Sequence, residues 1–126
     1  MSALATSPKG ETSVVTTDDR GLPVFDTHVL ERVLRMESEA HDPVLITGEQ
    51  IEADVLAYRR FLRDRKLAPG VHVVPLVQVD RVWHIHILQT EHYREVCESY
   101  LGRFLHHASL ICGAGGERIK PWHTRE

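Results

Sequence analysis

Apolar residues in this 126-residue chain recur at steps of three and four along three segments, and that spacing is what most limits the folds open to it. Phe25, Val29, Leu30, Val33, Leu34 and Met36 follow it beside Asp26 and Thr27, either of which suits a cap. The spacing predicts a helix over 26–40, ended by His41-Asp42-Pro43. Thr47 with Gln50 three residues later fits a capping box, and Ile51, Val55, Leu56, Tyr58, Phe61 and Leu62 then predict a second helix over 48–66. Its other face carries Arg59, Arg60, Arg63, Asp64 and Arg65, which read as a solvated surface.

Leu67-Ala-Pro-Gly breaks the chain. The stretch from Val71 to Asp80 has the β-branched content of a strand, but Pro75 suits the first turn of a helix better than the middle of a sheet. From Leu76 to Tyr100 the period is helical again through Val79, Trp83, Ile87, Tyr93, Val96, Cys97 and Tyr100, and Gly102 closes it as the residue past the helix end. A short segment, Arg103 to Ile111, follows. The expected fold is all-α, a single small bundle of three to four helices.

Outside the periodic region the composition changes. Residues 1–21 are rich in Ser, Thr, Gly and Asp and read as a flexible N-terminal arm, 22–112 as the helical domain, and 113–126 as a Gly-rich polar tail. The opening residues show no basic start followed by an apolar run, which predicts a cytoplasmic protein. No apolar run approaches the ~18 residues of a membrane span, and a net charge of −3 offers no phosphate footprint, so neither a membrane nor a nucleic-acid partner is expected. Cys97 and Cys112 read as buried thiols rather than a staple. Helices of this length also leave room for a homodimer.

Histidine is in excess, nine in the chain, and five of them fall within Val79–Tyr93 and Phe104–His107. His84-Ile85-His86 would chelate on a strand, but at about 100° per residue a helix throws the two rings about 200° apart. A helix instead brings Asp80 and His84 together, at i and i+4. The turn at Gly102 returns the chain so that His106 or His107 supplies a third ligand, giving a two-histidine, one-carboxylate set with open positions. His86 falls on the side of Tyr93 and Cys97, where its plainest use is a hydrogen bond that fixes packing; in an enzyme it would be acid/base or support a ligand. The competing reading has Asp80 capping the helix or pairing with Arg81 or Arg103, and the histidines bonded within the core. His28, His41, His72, His92 and His123 are scattered and read as surface or cap residues. No Gly-rich phosphate loop, Cys-x-x-Cys or nucleophile elbow is present.

The run Val79-Asp80-Arg-Val-Trp83-His84-Ile-His86-Ile-Leu, followed by Tyr93, Cys97, Gly102 and Leu105-His106-His107, resembles the glycine-rich domain-containing protein-like family of small bacterial proteins and plant N-terminal regions. That resemblance implies a helical fold and sets Asp80, His84, His86 and His107 apart as a group, without implying a reaction. Ala108-Ser-Leu-Ile-Cys112 departs from the Pro-aromatic-Gly stretch of its bacterial members. The expectation drawn from both lines is a small metal-dependent enzyme. It would hold a divalent transition metal, Cu or Fe favoured and Zn also suited, on Asp80, His84 and His106 or His107, with His86 catalytic. Its substrate would be a small organic molecule, as in an oxidoreductase of a biosynthetic pathway. The alternative is a non-catalytic metal-binding or protein-interaction module.

Overall fold

The computed structural model describes residues 15–71 and 73–107. Within them the order is β1 (Thr16–Thr17), β2 (Pro23–Val24), α1 (His28–His41), α2 (Gly48–Leu67), α3 (Val77–Leu88), α4 (Thr90–Val96) and a π-helical turn, Cys97–Leu101. The domain is all-α, and among the described residues its strands amount to one two-residue antiparallel pair with Thr16 opposite Val24. Among the described residues no helix is long and apolar enough to cross a membrane. Cys112, His123 and the polar tail lie outside the described residues, as does His72.

The local chemistry explains the boundaries. Asp26 Oδ1 accepts the His28 N–H at 2.9 Å to start α1, and the Thr27 hydroxyl donates to Glu31 at 2.9 Å. Thr47 caps α2 by accepting the Gln50 N–H at 3.1 Å, but the Gln50 side chain reaches forward to Asp54 at 2.8 Å, so the box is made on one side only. Buried Ser38 accepts the Ile46 N–H at 2.8 Å and pins the link between α1 and α2. The turn Asp18–Gly21 needs a positive φ at Gly21, +82°, while Asp18 Oδ1 accepts from the Arg20 and Leu22 N–H groups, both at 2.9 Å.

Two differences from the sequence expectation change the architecture. The folded body begins upstream of residue 22: Val15 is buried, and Arg59 holds the hairpin to α2 by donating to the Pro23 carbonyl at 2.8 Å and to Asp18 at 3.1 Å. The helix read as continuous over 76–100 breaks at Gln89, whose φ/ψ of −95°/71° leaves the helical region. There the N–H of Gln89 takes the carbonyl of His86, three residues back, and its side chain takes that of Ile85 at 3.2 Å. α4 then restarts the helix, and the π turn ends where Gly102, at φ +78°, donates to the Cys97 carbonyl at 2.9 Å.

The core lies between α2 and α3 and is closed by α1, α4 and the π turn. Leu34, Tyr58, Leu62 and Val82 are wholly buried, each contributing roughly 1.5–3 kcal/mol of apolar burial where the side chain is fully covered. Tyr hydroxyls stitch the periphery: Tyr93 accepts from Trp83 Nε1 at 2.9 Å and donates to the Leu105 carbonyl at 2.5 Å, while Tyr100 donates to the Gly21 carbonyl at 2.5 Å. The Tyr93 bond fixes the returning segment 103–107 against α3.

Candidate functional site

α3 divides its histidines between two environments. His84 is exposed and His86 fully buried, the outcome of their angular separation on a regular helix. Asp80, one turn before His84, is half-buried at the same end of the fold as the returning segment. His107 Nε2 stands 2.7 Å from Asp80 Oδ1, and the His107 ring lies 6.2 Å from that of His84, centroid to centroid. Trp83 backs His107 with an edge contact at 4.4 Å. Arg81 pairs with Asp42 and Glu37 rather than with Asp80.

His107 rather than His106 makes the contact with Asp80. His106 is exposed, with its ring edge-on to Phe104 at 4.7 Å, and lines a neighbouring cleft. As they stand, Asp80 and His107 form a hydrogen-bonded pair with the His107 N–H donating to the carboxylate. Among the described residues no group of three or more His, Cys, Asp or Glu side chains is disposed to hold a metal ion.

The second environment centres on His86, 0 % exposed, with both ring nitrogens engaged. Nδ1 is 2.6 Å from the Tyr58 hydroxyl and Nε2 is 2.9 Å from Nδ1 of His92. Burial drives the Tyr58 hydroxyl well above its usual range, so it stays protonated and donates to Nδ1. That fixes the His86 proton on Nε2, from which it donates to His92. Burial, reinforced by His92, pushes the His86 imidazole down to about 3. The ring is thus neutral, without solvent contact and bonded through both nitrogens within the core.

His92, read from the sequence as a surface residue, is half-buried: it meets His86 at 5.0 Å and Phe25 at 5.8 Å between ring centroids. The break at Gln89 is what turns it inward. Cys97 is buried and free, and burial raises its thiol above the usual range, so it is not poised as a nucleophile. Arg65 also departs from expectation. It is 6 % exposed instead of solvated, and it donates to the Val71 carbonyl.

A one-sided site on a single helical domain, with an Asp–His pair beside an exposed histidine and a buried polar chain behind it, defines a small all-α protein with a polar end on α3. The chain belongs to the UCP032817-like family, whose model matches residues 24–112. This corrects the resemblance drawn from the Val79–Leu88 run: the matching family is the UCP032817-like one, over most of the chain, and not the glycine-rich domain-containing one that the short motif suggested. Neither a curated protein nor a solved structure matches the chain.

Proposed function

We propose that Asp80, His84 and His107 form the working site of a small metal-dependent enzyme, taking a divalent transition metal that displaces the Asp80–His107 hydrogen bond. The observation that carries the reading is the 2.7 Å approach of His107 Nε2 to Asp80 Oδ1, made by residues 27 positions apart. Two ligand atoms on one ion with bonds of about 2.0–2.1 Å stand about 3 Å apart, so the pair needs to open by only a few tenths of an ångström. His84 is exposed and therefore free to turn its ring toward the same point.

Two imidazoles and a carboxylate suit Fe(II), Cu(II) or Zn(II) and leave positions for water, dioxygen or a small organic substrate. Copper or iron makes the protein an oxidoreductase; zinc makes it a Lewis-acid catalyst. His86 belongs to the support of α3 in this scheme, since its ring faces Tyr58 and His92.

Calorimetric titration of untagged, chelator-treated protein with Cu(II), Zn(II) and Fe(II) tests the assignment. One ion is expected to bind at one equivalent, with His84→Ala and Asp80→Asn each weakening it at least about tenfold and exposed His28→Ala leaving it unchanged. Equal loss in His28→Ala and His84→Ala would mark scattered surface binding and contradict the proposal.

A further inference from the structure

Beside the Asp80 end lies a cleft of about 220 Å³, smaller than pockets that enclose drug-sized ligands. Its polar lining is basic: Arg65 from α2, Arg103 and His106 from the returning segment, with no carboxylate among the described lining residues. Its walls are apolar and aromatic, including Phe61 and Trp83, whose rings meet at 4.8 Å.

Among the described residues the arginines are short of acceptors. Arg65 is nine-tenths buried, and its Nε has no hydrogen-bond partner among the described residues. The acceptor its guanidinium does reach is a neutral backbone carbonyl, that of Val71, and Arg103 in turn donates to the Arg65 carbonyl at 3.3 Å. Asp64, the neighbouring carboxylate, is bonded by Arg63 at 3.2 Å. Burial lowers the Arg65 guanidinium below its usual range; Asp64 opposes that shift and Arg103 adds to it. A buried cation with an orphaned N–H, next to a second cation, is costly unless an anion completes it.

We propose that this cleft binds a small organic carboxylate with an apolar body, its carboxylate on the guanidinium forks of Arg65 and Arg103 and its body against Phe61 and Trp83. Guanidinium forks match the planar, two-oxygen geometry of a carboxylate, and the aromatic walls favour a hydrophobic ligand over a bare ion. The cleft stands on its own residues and does not depend on a metal at Asp80, His84 and His107. Trp83 joins the two, since it lines the cleft and touches His107.

The test uses full-length protein carrying Trp122→Phe, which leaves Trp83 as the sole tryptophan, in buffer with EDTA so that metal plays no part. Benzoate is expected to change Trp83 emission saturably, with benzamide and inorganic phosphate each binding at least about tenfold more weakly. Arg103→Gln, with its helical circular-dichroism spectrum retained, is expected to weaken benzoate at least about tenfold, and Arg65→Lys, which keeps the charge and loses the fork, severalfold. The proposal is overturned if benzoate does not bind, if benzamide binds as well as benzoate, if phosphate does, or if both arginine variants bind benzoate like the parent. Because metal is absent throughout, a failed metal titration and a failed benzoate titration are separate results.

Discussion

His107 Nε2 stands 2.7 Å from Asp80 Oδ1, an approach that joins the third helix to the segment returning past Gly102. The side chains are 13 % and 32 % exposed, so solvent screens the pair and its contribution to folding is small. Asp80→Asn is therefore expected to cost less than about 1 kcal/mol in urea unfolding of metal-free protein. A loss above about 2 kcal/mol would make the pair a structural tie and weaken its reading as a ligand set.

The Tyr58–His86 bond is the opposite case. Both groups are 0 % exposed, and Tyr58→Phe leaves His86 Nδ1 as a buried acceptor without its donor. The expected loss is about 1–3 kcal/mol by equilibrium denaturation, with the far-UV spectrum unchanged. Stability equal to the parent's would show that His86 had found another donor.

Stability should also fall with acid through the same residue. The folded His86 value, about 3, lies below the unfolded value near 6.5, so between them the unfolded chain binds a proton that the folded chain refuses. The stabilisation is complete above about 6.5 and is lost as pH falls toward 3. From pH 7 to pH 5 it amounts to about 2 kcal/mol. Comparing the parent with His86→Gln isolates it: the parent's stability should fall more steeply over that range, and parallel curves would contradict the assignment.

Much of the fold is legible in the sequence because it depends on neighbours along the chain. Thr47 with its downstream Gln50 marks the start of α2, Gly102 marks a left-handed stop, and the i, i+4 relation of Asp80 and His84 places them together on α3. What escaped depends on partners far away in sequence. Gln89 carries no breaker chemistry, and the apolar stripe runs on through Tyr93 and Val96, so nothing local announces the break that turns His92 toward His86. Arg65 sits in a charged run that reads as solvated; only the loop through Val71 and the return of Arg103 bury it. The choice between His106 and His107 likewise waits on how the chain returns after Gly102, where the Tyr93–Leu105 bond sets which ring meets Asp80.

Gly102 gives a further test of that return. Its φ is +78° and the space where a Cβ would stand is open, so an alanine meets no clash but must adopt the left-handed region. Gly102→Ala should cost about 1–2 kcal/mol in denaturation and, by displacing His107, weaken metal binding. Unchanged metal affinity at reduced stability would uncouple the turn from the site.

The most direct measurement is the metal content of native protein purified without an affinity tag or added metal. About one equivalent of a single transition metal is expected, lost when Asp80, His84 or His107 is replaced. Less than about a tenth of an equivalent, in a preparation that also fails to take up metal on titration, would contradict the metal site.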